Sequence, residues 1–196
     1  MNMPLDVQDD ASDDALLIAY GNGDRTAARV LMQRHAPRVI GYAARLLKDR
    51  AEAEDVAQDA MMRLWKIAPE WRTGEAKVTT WLYRVVTNLC TDRLRKKRGA
   101  ALDDIAEPED GKPSQEAVLM HKQRVDALDR ALNTLPERQK EAVILRHIEG
   151  FSNPEIAQVL DIGVEAVESL TARGKRALAK ALADQREILG FEDDTA

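Results

Sequence analysis

From Asp13 to Leu47, apolar residues recur at steps of three and four, the spacing that gathers them on one side of a helix. Leu16, Leu17 and Tyr20 form one stripe, and Ala28, Leu31 and Met32 another. The intervening "GNGD" breaks the run into two helices, with Asp24 placed to cap the second and Pro37 to bend or restart it. "RAEAEDVAQDAMMRLWKIA" predicts a third helix that buries Val56, Met61, Leu64 and Trp65. "PEWRTGEAKVT" reads as a loop. "TTWLYRVVTNLCTDRLRKKR" predicts a fourth helix, apolar at Leu82, Val85, Val86, Leu89 and Leu94. Its last turns are basic, which suits the negative end of the helix dipole.

From Gly99 the pattern stops. "GAALDDIAEPEDGKPSQ" combines glycine, proline and acids, a linker signature. Helical spacing resumes near Glu116, through Val125, Leu128 and Leu132 and on to Val143, Ile144 and Ile148. Then comes "IEGFSNPEIAQVLDIGVEAVESLTARGKRAL". Ser152 and Glu155 have capping-box spacing, and Phe151 and Ile156 sit at the hydrophobic-staple positions. Ile156, Ala157 and Leu160 face inward, Gly163 interrupts, and Val164, Val167 and Leu170 or Thr171 restart the pattern. This predicts a helix-turn-helix, whose second helix enters the major groove in DNA-binding cases; a plain helical hairpin is the alternative. No segment reads as a strand.

Composition narrows the class. The 196 residues are 44% hydrophobic and 32% charged, those of a globular chain, and the 4% aromatic content with abundant Ala, Leu, Arg and Glu favours helix. One cysteine, Cys90, excludes an internal disulfide, fits a reducing compartment and reads as a packing residue. Without a signal-peptide pattern or a membrane-spanning apolar run, a cytoplasmic location is expected. The net charge of -5 is unevenly spread: acids crowd the two ends and the 99–115 stretch, while "RLRKKR" closes the fourth helix. Asp55 and Asp59, one turn apart, invite a catalytic or metal reading. No further ligand stands at useful spacing, and His35, His121 and His147 are scattered. Trp81 and Tyr83 can stack on bases or belong to the core.

Three motifs in this order resemble the bacterial RNA polymerase sigma factors of the extracytoplasmic-function group, in the sigma-70 family. They are "AEAEDVAQDAMMRLWK", "TTWLYRVVTNLCTDRLRKKR" and the 148–178 stretch, and the resemblance runs from about Ala15 to Leu182. It implies an all-α chain of two small helical domains, an N-terminal helical bundle and a C-terminal helix-turn-helix domain, joined by an acidic flexible linker. The boundaries are an acidic tail at 1–14, a region 2 domain at 15–98, the linker at 99–115, a region 4 domain at 116–186 and an acidic tail at 187–196. The implied function is binding core RNA polymerase, through its largest and second-largest subunits, and directing promoter-specific initiation without catalytic activity, cofactor, metal or membrane insertion.

By the same resemblance, Glu54, Asp55, Gln58, Asp59 and Arg63 dock on the polymerase. Arg72, Glu75, Thr79, Thr80, Asn88, Asp92, Arg93, Arg95, Lys96, Lys97 and Arg98 bind the single-stranded -10 element. There Asn88 and the 72–79 loop hold a flipped base, and the bases hold phosphates. Ser152, Glu165, Ala166, Glu168, Ser169, Ala172, Arg173, Lys175 and Arg176 bind the double-stranded -35 element. An anti-sigma factor is expected to hold the chain inactive. Fully extended, the linker spans about 55 Å at roughly 3.3 Å per residue, enough to serve two separate promoter elements.

One departure stands out. Family members commonly carry basic residues on both sides of the serine corresponding to Ser169, where this chain has Glu168 and Leu170. A glutamate there can accept a hydrogen bond from cytosine N4, or the first turns read little and Ser169, Ala172 and Arg173 face the bases. Three other readings fit the sequence less well. A dimeric operator-binding regulator lacks its sensor domain and dimer seam here. A helical adaptor leaves "RLRKKR" unused. A hydrolase built on Asp55 and Asp59 lacks its other ligands.

Overall fold

The computed structural model describes residues 11–74, 76–100 and 116–188, and side-chain surroundings for 11–74, 76–98 and 125–183. Glu75, the 101–115 stretch and the two ends, on which several sequence expectations fall, lie outside the described residues. The elements in chain order are α1 (Asp13–Gly21), α2 (Arg25–Leu47), α3 (Arg50–Ile67), a 3-10 turn (Ala68–Glu70), α4 (Val78–Ala100), α5 (Glu116–Asn133), α6 (Glu137–His147), α7 (Asn153–Leu160) and α8 (Val164–Ile188). Among the described residues there is no strand, as the sequence predicts. The helices divide between two compact units. The first holds α1 to α4 with residues 154–162, and the second holds α5, α6 and α8.

In the first unit α2 packs against α1, α3 and α4, and α3 packs against α4. Leu16, Leu17, Leu31, Val39, Val56, Leu64, Leu82 and Val86 are buried along these faces. The stripe on α2 is shifted from the one read in the sequence. Ala27, Val30 and Leu31 are buried, whereas Ala28 is half-buried and Met32 is 42% exposed. A step of three or four fits either set; the difference is that His35 and Asp24, polar by type, lie on the buried side.

The caps follow the local chemistry. Asp24 Oδ1 accepts from the Thr26 amide at 2.9 Å, as expected. Asp49 Oδ1 accepts from the Glu52 amide at 3.0 Å and opens α3. Pro37 does not restart α2, which runs unbroken from Arg25 to Leu47. Buried His35, Val39 and Tyr42 hold the helix on both sides of the missing donor. Gly21 ends α1 where the backbone comes closest: a Cβ there would lie 2.7 Å from the Ala68 carbonyl oxygen, so only glycine fits.

Helix α1 begins at Asp13, inside the stretch read from sequence as an acidic tail. Asp13 is a structural residue. Arg34 Nη1 donates to its Oδ1 at 2.9 Å, and His35 Nε2 lies 2.9 Å from its Oδ2. Burial acts to raise the Asp13 pKa, but the hydrogen bonds and positive charge of His35 and Arg34 outweigh it and hold the carboxyl below its ordinary 3.8. A lowered folded pKa means stability present above pH 3.8 and lost as pH falls through the folded value. Asp13→Asn is therefore expected to cost about 1–2 kcal/mol at neutral pH, with the gap to the parent closing in strong acid. Denaturant titrations at neutral and acid pH check this; a constant gap would sink it.

In the second unit α8 packs against α5 and α6 over Ala131, Leu132, Val143, Ile144 and Val167, all buried. Gly174 of α8 faces α6 so closely that a Cβ would lie 2.6 Å from Val143 Cγ2 and 3.2 Å from the Gln139 carbonyl oxygen. Between α7 and α8, Asp161 adopts φ 55°, a left-handed conformation that Asp tolerates better than most residues. Val164, expected inside, is 40% exposed; it opens α8 before the helix reaches its packed face.

Candidate protein and nucleic-acid interfaces

On α3 the buried positions are Ala53, Val56, Ala57, Ala60, Met61 and Leu64. At about 100° per residue, this inward set turns Glu54, Asp55, Gln58, Asp59 and Arg63 outward, and all five are exposed. Met62 stands among them and is 61% exposed, an unusual place for a large apolar side chain. The spacing that places Met61 in the core, as expected, turns its neighbour Met62 outward. Trp65, expected in the core, is half-buried with its ring 4.9 Å from that of Tyr20.

Helix α4 sorts its polar groups less simply than the sequence suggested. Tyr83 is 2% exposed, its ring 5.1 Å from the Tyr42 ring, so it belongs to the core and is not available for stacking on a base. Tyr42 Oη and Thr87 Oγ1 share a hydrogen bond of 2.9 Å beside it. Trp81 is half-buried, edge-on to Trp71 with ring centroids 6.4 Å apart, and Trp71 Nε1 donates to Asp14 Oδ1 at 2.8 Å. Trp71, which the sequence reading left in a loop, is thus a fixed wall beside the start of α4. Arg72 is exposed and Thr79 half-buried. Thr80 is 3% exposed, and its Oγ1 has no hydrogen-bond partner among the described residues, so it does not present a group at the surface. Asn88 is exposed. Cys90 is fully buried, the packing role expected of it.

The basic end of α4 splits into two groups. Arg95, Lys96 and Arg98 are exposed, and Arg95 Nη2 donates to exposed Asp92 at 2.8 Å. Arg93 and the likewise exposed Lys97 turn toward α3. Lys97 Nζ lies 3.0 Å from Glu52 Oε1. Arg93 Nη1 donates to the Glu52 carbonyl at 3.1 Å and lies 3.9 Å from Asp55 Oδ2, while its Nη2 lies 3.8 Å from Asp59 Oδ2. Arg93 is therefore bound to the neighbouring helix and is not part of the outward basic row in which the sequence reading put it.

In the second unit the packed face of α8 carries Val167 and Gly174. Glu165, Ala166, Glu168, Ser169, Ala172, Arg173, Lys175 and Arg176 are all exposed. Taken at about 100° per residue, Glu165, Ser169, Ala172 and Arg176 form the outermost line. Glu168 and Lys175 share one flank, and Ala166 and Arg173 the other. Arg173 folds back so that its Nη2 donates to Ser169 Oγ at 2.7 Å. Ser152 is half-buried immediately before α7. His147, one of the scattered histidines, lies within the field of this surface. Partial burial first, and the Lys175 and Arg146 charges with it, hold its pKa below 6.5. Sequence spacing had no way to bring His147 and Lys175 together.

Two charges in α6 are buried. Lys140 Nζ donates to Asn133 Oδ1 at 2.7 Å. Glu141 is 2% exposed and accepts from Arg138 Nη1 at 3.3 Å. Burial pushes its carboxyl up to about 7, with Arg138 working against the shift.

Among the described residues, no group of three or more His, Cys, Asp or Glu side chains is placed to hold a metal ion, and no helix is long and apolar enough to cross a membrane. What the helices present is an acid-and-amide face on α3, a basic end on α4 and a polar, partly basic face on α8, the surfaces of a protein that binds macromolecules.

Comparison with known proteins agrees. Residues 31–100 match Sigma-70 region 2, and residues 126–178 match Sigma-70, region 4. The chain is 33% identical over 174 residues to the ECF RNA polymerase sigma factor SigM of Mycobacterium tuberculosis, covering 87% of this chain and 85% of that one. It is 30% identical to SigW of Bacillus subtilis, covering 83% and 92%. Its fold matches that of CnrH, solved with the cytosolic domain of CnrY, at TM-score 0.67 and 24% identity over 89% of this chain and 99% of that one. It matches RpoE of Bartonella quintana, solved with the anti-sigma factor NepR, at TM-score 0.67 and 24% identity over 79% and 96%. The chain belongs to the extracytoplasmic-function RNA polymerase sigma factors, within the sigma-70 family.

Proposed function

We propose that this chain acts in the cytoplasm as a sigma factor without catalytic activity of its own. It binds core RNA polymerase through α3, engages the -10 element through α4 and the loop before it, and reads the -35 element through α8. The observation that carries the reading is the sorting of chemistry by helix: acids and an amide outward on α3, a run of exposed cations ending α4, and a mixed polar face on α8. Carboxylates and Gln58 suit a basic, hydrogen-bonding protein partner. Arg95, Lys96 and Arg98 suit phosphates, whose binding is steeply salt-dependent. Asn88 and Thr79 offer polar groups for an extruded base. Residues 15–98, extended to Asp13 at the start, serve the polymerase and the -10 element, and 116–186 the -35 element.

The relatives RpoE of Bartonella quintana and CnrH were solved with partners, an anti-sigma factor in the first case. Control by an anti-sigma factor is the corresponding proposal here.

Run-off transcription from randomised promoters, with core polymerase and with or without this chain, tests the reading. Protein-dependent transcripts below a shared two-part motif are expected, and alanine at Arg95, Lys96 and Arg98 together should abolish them. A cytosine preference in the -35 half that disappears in Glu168→Ala is expected if Glu168 accepts from the base. No dependent transcripts, and no co-elution with core polymerase, would overturn the assignment.

A further inference from the structure

Arg93 has an arrangement that the family reading does not account for. It sits on the helix proposed to bind DNA, yet its guanidinium is anchored to the other helix. One nitrogen donates to the Glu52 carbonyl at 3.1 Å, and the two terminal nitrogens lie 3.9 Å from Asp55 and 3.8 Å from Asp59. The Arg93 side chain is 27% exposed, whereas those of Asp55 and Asp59 are 70% and 54% exposed. The cation is thus largely covered while both carboxylates remain open to a partner. Asp55 and Asp59 are one helical turn apart, and like charges at that spacing repel. A fork of donors fixed by a backbone carbonyl lies between them and offsets that repulsion. An ammonium cannot match this, because it lacks the planar fork.

We propose that Arg93 is a positioning residue for polymerase docking: held by the Glu52 carbonyl, it sets the two carboxylates of α3 for a basic partner surface and is not a phosphate ligand. The proposal rests on the reading of α3 as the polymerase-binding helix. It separates Arg93 from Arg95, Lys96 and Arg98 on the same basic run.

Simple charge predicts the opposite sign. Removing a cation beside two acids leaves the face more negative, so a basic partner would bind Arg93→Gln more tightly. If Arg93 acts by positioning, binding weakens instead. The experiment measures the affinity of the full chain for purified core polymerase in four forms: parent, Arg93→Gln, Asp55→Asn with Asp59→Asn, and all three changes together. Arg93→Gln is expected to weaken binding about fivefold or more in the parent and to change it little once both aspartates are amides, the coupling of groups that act as one unit. Arg93→Lys, which keeps the charge and loses the fork, is expected to fall between parent and Arg93→Gln. Promoter binding by the assembled holoenzyme is measured against salt in parallel. Its slope should stay the same for Arg93→Gln, whereas loss of a phosphate contact lowers it by about one.

Tighter or unchanged core binding by Arg93→Gln, while the aspartate pair weakens it, would overturn the role of Arg93 alone. An equal loss with and without the aspartates would show a merely structural residue and overturn it too. A lowered salt slope with unaltered core affinity would make Arg93 a phosphate ligand. If the aspartate pair has no effect on core binding, the reading of α3 fails first, and the proposal with it.

Discussion

Replacing Glu141 with glutamine is expected to change how the stability of the second unit depends on pH. Glu141 is 2% exposed, and the cation beside it, Arg138 Nη1 at 3.3 Å, reaches it from a largely exposed side chain. Removal from water therefore dominates and lifts the carboxyl to about 7 from an ordinary 4.5. The sign follows from proton counting. Between pH 4.5 and about 7 the folded state holds a proton that the unfolded state has released, so stability falls as pH rises through that window. The loss is fully developed above the folded pKa. At about 1.4 kcal/mol per pKa unit it amounts to about 3 kcal/mol by pH 8. Glutamine keeps an acceptor for Arg138 and carries no charge to bury. The stability difference between Glu141→Gln and the parent should thus move in the variant's favour by about that amount from acid to pH 8. Urea unfolding at a series of pH values measures it. Parallel curves for the two proteins would mean that the folded carboxylate stays ionised.

The second large effect is expected at Gly174. Helix propensity alone favours Gly174→Ala by about 1 kcal/mol. The packing argues the other way. The new methyl would meet Val143 Cγ2 at 2.6 Å and the Gln139 carbonyl at 3.2 Å. Val143 is buried and β-branched, so it has no rotamer to retreat into, and a backbone oxygen cannot move alone. Overpacking of this kind costs roughly 1–3 kcal/mol, so the net expectation is destabilisation. If α8 shifts outward to relieve the clash, the line of Glu165, Ser169, Ala172 and Arg176 moves with it. Weaker -35 recognition at unchanged core binding is the functional counterpart. A variant as stable as the parent with unaltered promoter selection would refute both halves.

Much of this architecture is legible in the sequence because helical spacing and punctuation agree. Asp24 caps where it was expected, and Leu16, Leu17, Val56, Leu64 and Ile156 are buried where the period puts them. The misses share a cause. Where a helix carries apolar residues on adjacent positions, a step of three or four leaves the phase open by one residue. That is how Ala28 and Met32 were preferred to Ala27 and Val30. Polar residues hidden by tertiary contact were missed for a different reason. Nothing local to Asp13 points to Arg34 and His35, about twenty residues away, and nothing in "RLRKKR" says that two of its cations face α3. Tyr83 illustrates the limit: its type suits both stacking on a base and packing, and only the Tyr42 ring decides between them.

The aromatic pairs have a practical consequence for anyone who follows this protein by optical methods. All three tryptophans and all three tyrosines fall between Tyr20 and Tyr83, in the first unit. They sit in contact as Tyr20 with Trp65, Tyr42 with Tyr83, and Trp71 with Trp81. Tyrosine and tryptophan fluorescence therefore reports the first unit, while far-ultraviolet dichroism sees the helices of both. Unfolding of the second unit is silent in that fluorescence. One tryptophan introduced on an exposed position of α5 would give each half its own signal.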